Sequence, residues 1–106
     1  MAKSKVQIDT IIKEAIDALR SDIEIDAAIL FGSYASGRAS KDSDIDLAVF
    51  SKTIDKWSFE ERLKLASKVR AVSPLIELHL YSNRALKEAR PTNFYGHIIE
   101  TGKKVA

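Results

Sequence analysis

The sequence contains no cysteine, and it has only 2 prolines and 4 glycines. Without cysteine, the chain can form neither a disulfide nor a thiolate metal site. No linker rich in proline, glycine or serine, no internal repeat and no low-complexity tract divides the chain. Its 106 residues therefore predict one domain, residues 1–106, built around a single core.

Long apolar runs and a large excess of one charge are also missing. Charges interrupt the apolar residues of the N-terminal segment every few positions, which predicts neither a signal peptide nor a membrane span. Lys and Arg number 17 against 15 Asp and Glu, and the resulting net charge of +2 favours no nucleic-acid partner. We therefore expect a cytoplasmic protein that is not associated with a membrane.

The most informative stretch spans residues 27–50. A short apolar run, AAILF, stops at Gly32, which predicts a buried strand. From Asp44 onward acidic and apolar residues alternate, which predicts a second strand. Because successive strand side chains point to opposite faces, Asp44 and Asp46 are expected to share one face. Two carboxylates this close repel each other unless a cation lies between them, so the pattern predicts a metal site.

The segment between these strands has features of a phosphate site. Gly32 permits either close approach of a ligand or a positive φ, and Ser33 begins a predicted helical turn that ends at Gly37. The free N–H groups at such a start, together with the Ser33 hydroxyl, are suited to an anion. Arg38 and Ser43, in the polar loop that follows, are further candidates for nucleotide binding, although a solvated Arg38 explains the sequence equally well.

A third predicted strand, from Leu75 to Tyr81, carries a carboxylate at its middle. Glu77 alternates with apolar neighbours and shares its face with His79. Glu77 is therefore a third acid that a two-metal site could use; the alternative is a glutamate that merely caps a sheet edge. His79 is expected to lie behind the metal ligands or at the surface.

Helical patterns flank these strands. Apolar residues recur every three or four positions over residues 8–19, which predicts an amphipathic helix. Ser58 followed by Glu61 predicts a capping box at the start of a second helix. Further helices are expected over 83–90 and after Asn93. The second helix should direct the following apolar residues at the core: Phe59, Leu63, Ala66 and Val69.

These motifs carry a resemblance to a known family. Gly32-Ser33, 10 intervening residues and then Asp44-Ile45-Asp46-Leu47 resemble the signature of the DNA polymerase beta-like nucleotidyltransferase superfamily. The segment LFGSYASGRASKDSDIDLAVF most resembles the corresponding segment of the minimal nucleotidyltransferases. These are the small partners of helical HEPN-domain proteins in prokaryotic toxin–antitoxin pairs. The resemblance implies an α/β fold of the α+β type, in which a small mixed β-sheet has helices packed mainly on one face.

The resemblance also implies a reaction and its residues. A nucleoside monophosphate, AMP from ATP, would pass to an acceptor hydroxyl while pyrophosphate leaves. Asp44, Asp46 and Glu77 would be the catalytic residues and the ligands of one or two Mg²⁺ ions, with Glu77 also the general base. The superfamily often has Asp at this last position, and Glu adds one methylene of reach. Gly32 and Ser33 would receive the β- and γ-phosphates.

The length of the chain bears on its partner. Few residues follow the third strand, so the acceptor is expected on another chain or on a second copy of this one. The resemblance implies a HEPN-domain toxin, with a candidate contact, or a core cluster, formed by Phe94, Tyr95, Ile98 and Ile99. Two alternatives remain: an antitoxin that acts by binding alone, and a nucleotidyltransferase acting on a small molecule. The clustered carboxylates favour an enzyme over a pure binding protein.

Overall fold

The computed structural model describes residues 3–90 and 92–106. None of the helices in these ranges is both long and apolar enough to cross a membrane. In chain order the elements are α1 (Lys5–Arg20), β1 (Ala27–Phe31), α2 (Ser33–Ser36), β2 (Ile45–Ser51), a 3-10 helix (Thr53–Lys56), α3 (Phe59–Val72), β3 (Ile76–Ser82), α4 (Arg84–Lys87), α5 (Phe94–Thr101) and β4 (Lys103–Lys104).

The strands form one mixed sheet of 4 strands in the order β3-β2-β1-β4. β1 and β2 are antiparallel, because α2 and the loop after it return the chain beside β1. β3 is parallel to β2, and the crossover that a parallel pair requires runs through α3. β4 is antiparallel to β1 and forms the second edge. The register places Phe31 opposite Asp46, and Asp46 beside Glu77.

Alternation along the strands divides the apolar residues between two faces of the sheet. The larger cluster lies between the sheet and helices α1 and α3 and includes Ile12, Leu19, Leu47, Val49, Leu65 and Val69. The smaller cluster lies on the opposite face, under α4 and α5, and consists of Ala27, Ile29, Ala48, Phe50, Ala85 and Ile98. The two long helices thus cover one face and two short ones the other, which confirms the predicted fold class.

The two long helices begin at capping boxes. The Ser58 hydroxyl accepts from the backbone N–H of Glu61, and the Glu61 carboxylate accepts in return from the Ser58 N–H, as the sequence predicts. Ser4 and Gln7 form the same arrangement at the start of α1. Each box satisfies two N–H groups that a helix start otherwise leaves without acceptors.

The prediction for the inward face of α3 is wrong at two positions. Phe59 is 77% exposed and Leu63 is 49% exposed. Val69 is buried as predicted, and Leu65, four residues before it, joins it on the inward face. The guanidinium of Arg62 lies on the packed side as well, where it donates to the carbonyl of Ile54 at 3.0 Å. This rotation about the helix axis leaves the two large apolar side chains in solvent.

The C-terminal third also differs from the sequence prediction. Helix α4 spans only Arg84–Lys87 of the predicted 83–90 segment. The side chain of Asn93 explains the early end, because its amide donates to the Glu88 carbonyl at 2.6 Å while its oxygen accepts from the N–H of Gly96 at 2.9 Å. The short strand β4 was not predicted, since two residues carry no alternation from which to infer a strand.

Candidate active site

Gly32 ends β1 in a conformation that only glycine adopts readily. Its φ is 76° and its ψ is −150°. A Cβ built at this position would overlap Oδ2 of Asp46, which lies on the neighbouring strand β2. Gly32 therefore has the positive φ that the sequence allowed, and the group that it closely approaches is a carboxylate of the candidate site.

The predicted helical turn after Gly32 is α2, which has 4 residues and ends at Gly37 with φ 78°. The N–H groups of Ala35 and Ser36 both donate to the carbonyl of Gly32 at 3.1 Å. Ser33 and the residue after it occupy the first turn, where N–H groups have no acceptor within the helix. The chain therefore presents backbone donors and the half-buried Ser33 side chain immediately after Gly32.

Two acids from different strands meet beside Gly32. Asp46 of β2 and Glu77 of β3 are paired residues of a parallel ladder, so their side chains project from the same face of the sheet. The same alternation adds His79, two residues further along β3. One ligand atom from each of these three residues lies within 4.8 Å of the other two, which is close enough for one metal ion to reach them all.

The surroundings of Asp46 disfavour its ionised form. Burial raises the pKa of Asp46 above its usual value of 3.8, the adjoining Glu77 carboxyl raises it further, and His79 acts in the opposite direction. A divalent cation would reverse both unfavourable effects, because an opposite charge stabilises the ionised form. The converging carboxylates of Asp46 and Glu77 therefore fit a hard divalent cation.

His79 lies directly beside Asp46, a proximity that the sequence alone did not indicate. Its Nε2 lies 3.5 Å from Oδ1 of Asp46 and has no hydrogen-bond partner among the described residues, although the atom is shielded from solvent. Its ring meets the ring of Phe31 edge to face, with centroids 5.0 Å apart. The signal in the sequence was the shared face with Glu77, but alternation alone gives no distance to Asp46.

Asp44 lies apart from this group of three residues. It is the residue before the first hydrogen-bonded position of β2, it is exposed, and it is not among the ligand atoms that converge. Together with Glu77 it lines a groove of about 300 Å³ between α3 and β3. The metal-binding role of Asp44 remains a prediction. It requires that a bound cation or nucleotide draw the Asp44 side chain inward.

Arg38 and Ser43 lie in the loop between α2 and β2. Arg38 is exposed, and its backbone N–H donates to the Ser33 carbonyl at 3.0 Å. The Ser43 hydroxyl accepts from the N–H of Ser40 at 2.8 Å, so it holds a turn within the loop. Among the described residues, neither side chain forms a hydrogen bond or an ion pair with Asp44, Asp46 or Glu77, and their nucleotide-binding roles remain predictions.

A larger cavity, of about 470 Å³, lies elsewhere, where the start of α1 meets Tyr34 and β4. Lysines from both ends of the chain line it, and none of the three converging residues does. Size alone would favour this cavity. The chemistry favours the Asp46–Glu77 site, because within residues 3–90 and 92–106 the metal-ligating side chains of different elements converge there.

Solved structures show the same architecture. A "putative nucleotidyltransferase" from Sulfolobus solfataricus superposes with a TM-score of 0.64 at 20% identity, covering 83% of this chain and 84% of the other, which is evidence for the fold alone. A toxin–antitoxin crystal structure with AMP-PNP gives a TM-score of 0.60 at 25% identity, covering 92% of this chain and 72% of the other.

A mutant of the toxin–antitoxin MntA-HpeT gives a TM-score of 0.56 at 26% identity, covering 89% of this chain and 70% of the other. No curated protein sequence matches the chain. The family model described as "Polymerase beta, Nucleotidyltransferase" matches residues 13–106, a span that includes Gly32, Asp46, Glu77 and His79. The chain therefore belongs to the polymerase beta nucleotidyltransferase family.

Proposed function

We propose that this chain is a single minimal nucleotidyltransferase domain that transfers AMP from ATP to a hydroxyl of a HEPN-domain toxin and so acts as a cytoplasmic antitoxin. The observation that carries the proposal is the convergence of Asp46 and Glu77, from paired positions of two strands, beside a glycine whose α-carbon lies against the carboxylate of Asp46. Family membership adds the reaction type.

The family supplies the type of reaction, and the placement of the groups supports the following steps. The acceptor hydroxyl oxygen attacks the α-phosphorus of ATP, the bond from that phosphorus to the β-phosphate oxygen breaks, and pyrophosphate leaves. Glu77 takes the proton of the hydroxyl. The backbone after Gly32 and the Ser33 hydroxyl hold the β- and γ-phosphates in line with the bond that breaks.

The acids of the site would hold the metal. Asp46 and Glu77, joined by Asp44 when nucleotide is present, would bind one or two Mg²⁺ ions, which neutralise charge on the phosphates and on the attacking oxygen. The raised pKa of Asp46 supports this role, because the same carboxyl is disfavoured as an anion until a cation offsets its neighbour Glu77.

The choice of ATP and of a toxin acceptor has separate support. Two of the similar solved structures are toxin–antitoxin structures, and one of them contains AMP-PNP, an analogue of ATP. A HEPN-domain protein as the acceptor follows from the resemblance of the Gly32-to-Leu47 motif to minimal nucleotidyltransferases.

The test is to incubate the chain and its HEPN-domain partner with Mg²⁺ and ATP labelled at the α-phosphate. We expect label on the partner, a mass increase of one adenylate, and loss of toxicity. With Asp46→Asn, all three should be lost while the two proteins still form a complex. Retained neutralisation by Asp46→Asn would establish an antitoxin that acts by binding alone. Label appearing only on an added small molecule would establish a small-molecule nucleotidyltransferase.

A further inference from the structure

The imidazole ring of His79 is held beside the acids of the candidate site. Its partner across the parallel ladder is Ala48, a small buried residue, and its diagonal neighbour on the same face of the sheet is Asp46. On another side, the ring meets Phe31 edge to face. The Phe31 ring and the Asp46 carboxylate therefore limit the orientations that the imidazole can take.

The Nε2 atom of His79 is left without a partner by the rest of the described chain. It is shielded from solvent and forms no hydrogen bond among residues 3–90 and 92–106. Native proteins rarely bury a polar atom in this way, because the atom loses its hydrogen bonds to water and gains none in return. Oδ1 of Asp46 lies 3.5 Å away, which is longer than an ordinary hydrogen bond from a ring N–H.

The spacing of these atoms is typical of ligands around one metal ion. Bonds from Zn²⁺ to imidazole nitrogen and to carboxylate oxygen are about 2.0–2.2 Å long, so two such ligands lie about 3.4 Å apart at the tetrahedral angle. The 3.5 Å between Nε2 and Oδ1 is close to that spacing. A carboxylate oxygen of Glu77 completes the group within 4.8 Å, and this side chain is exposed, so a small rotation brings it to the ion.

The types of donor atom decide which ion the group prefers. Mg²⁺ takes oxygen ligands in an octahedron and keeps several waters, whereas imidazole nitrogen suits first-row transition metals such as Zn²⁺. Catalytic zinc sites in proteins have three protein ligands and one open position. Asp46, Glu77 and His79 supply two carboxylates and one imidazole. This set therefore favours a transition-metal ion over Mg²⁺.

We infer that His79 binds the metal of this site through Nε2, and that the ion held by Asp46, Glu77 and His79 is a first-row transition-metal cation. Asp44, which lies outside the group, remains available to the Mg²⁺ that accompanies ATP. The inference rests on the proposed function for the place of the metal and goes beyond it in naming a third ligand and the class of ion. It replaces the expectation that His79 lies behind the ligands.

The experiment measures metal binding to the nucleotide-free chain, to His79→Ala and to a control, His97→Ala, at a pH at which the ligands are deprotonated. His97 is the exposed second histidine, on α5. Calorimetry gives the affinities for Zn²⁺ and Mg²⁺, and the visible absorption of bound Co²⁺ reports its ligands. We expect the wild-type chain to bind Zn²⁺ about 100-fold more tightly than Mg²⁺ or better. The control should match it.

The His79→Ala variant should change the selectivity of the site. We expect its Zn²⁺ affinity to fall by about 100-fold or more, since even the partners behind metal ligands contribute about 10–100-fold. Its Mg²⁺ affinity should change by less than about threefold, because Mg²⁺ gains little from nitrogen. A second measurement needs no substitution: Zn²⁺ should shift the Nε2 NMR resonance of His79 in the wild-type chain and leave that of His97 in place.

Several results would overturn this metal site. Zn²⁺ affinity unchanged by His79→Ala, or an unshifted His79 resonance, would make His79 only an ion-pair neighbour of Asp46. Equal wild-type affinities for Zn²⁺ and Mg²⁺ would refute the class of ion. Co²⁺ binding that is lost with Asp44→Asn and kept with His79→Ala would place the ion between Asp44 and Asp46.

The same chains separate this inference from the proposed function. If Zn²⁺ binds through His79 but no adenylate reaches the partner, the metal site stands and the proposed reaction fails. If Mg²⁺ alone supports transfer and His79→Ala transfers at the wild-type rate without a change in Zn²⁺ affinity, the reaction stands and the role of His79 fails.

Discussion

The α-carbon of Gly32 lies against the carboxylate of Asp46, so close that a single added methyl group would overlap Oδ2. The contact is a consequence of register, because Phe31 pairs with Asp46 and the chain turns immediately afterwards. It joins the two parts of the motif, the glycine-serine turn and the acid, into one site. Any side chain at position 32 would therefore displace the Asp46 carboxylate.

Replacing Gly32 by alanine should therefore abolish the candidate metal site and also strain the backbone. Gly37→Ala is the matched control, since Gly37 has nearly the same φ, 78°, but a Cβ there would meet no atom within 4 Å. The control should lower the free energy of unfolding by about 1–2 kcal/mol, the cost of a left-handed residue, and leave Mn²⁺ binding intact. Gly32→Ala should destabilise more and abolish Mn²⁺ binding, measured by electron paramagnetic resonance and urea unfolding. Equal effects of the two variants on Mn²⁺ would contradict the assigned contact.

The pKa of Asp46 predicts how stability depends on pH. Because burial and Glu77 raise this pKa in the folded state, the folded chain binds the proton more tightly than the unfolded chain does. Asp46 should therefore contribute stability to the metal-free protein at low pH that is lost as the pH rises from the usual value of 3.8 through the raised pKa. Urea unfolding at a series of pH values measures the curve.

Two changes should flatten that curve. Asp46→Asn has no proton to lose in this range, and Mg²⁺ stabilises the ionised form, so each should remove the decline attributed to Asp46. Asp26→Asn is unsuitable as a control because its carboxylate accepts from the N–H of Lys52 at 2.8 Å. Asp42→Asn, an exposed loop variant, should leave the curve unchanged. A wild-type curve that runs parallel to the Asp46→Asn curve over this range would refute the assignment.

Much of the site could be predicted from alternation and turn chemistry. The period of two placed Asp46 and Glu77 in the interior of separate strands, and Gly32 marked the end of β1. Since β2 and β3 turn out to be parallel neighbours in register, those two acids meet. The pairing itself depends on the strand order, which the sequence pattern does not contain; the family resemblance supplied it.

Other features depend on packing that local patterns do not encode. The stripe Phe59, Leu63, Ala66 and Val69 has helical spacing, but so have Leu65 and Val69, and only tertiary contacts decide which face turns inward. Likewise, alternation put Asp44 on the face of Asp46, although the hydrogen-bonded part of β2 begins one residue later. The distance from His79 to Asp46 follows from contacts between strands that are remote in the sequence.

His79 should influence Asp46 in a way that a surface histidine does not. Its proximity lowers the pKa of Asp46 and so opposes the effect of Glu77. His79→Gln should therefore move the Asp46 titration to higher pH, as observed by carboxyl NMR chemical shifts of the metal-free protein. His97→Gln, at the exposed second histidine on α5, should leave the titration in place. A midpoint unchanged by His79→Gln would show that the contact at 3.5 Å has no electrostatic effect.

Glu77 combines two proposed roles, which a pair of substitutions can separate. Glu77→Gln removes the proton acceptor, so we expect the single-turnover rate of adenylate transfer to fall by about 10²–10⁴-fold, the usual contribution of general base catalysis. Glu77→Asp keeps the charge and loses one methylene of reach, so it should retain part of the rate. Rapid quench with labelled ATP measures both rates, and Glu88→Gln, an exposed variant near α4, serves as the control.

Because the Glu77 charge also raises the pKa of Asp46, Glu77→Gln should lower that pKa, an effect visible even without catalysis. Wild-type transfer by Glu77→Gln with a lowered Asp46 pKa would confirm the geometry and refute the catalytic role.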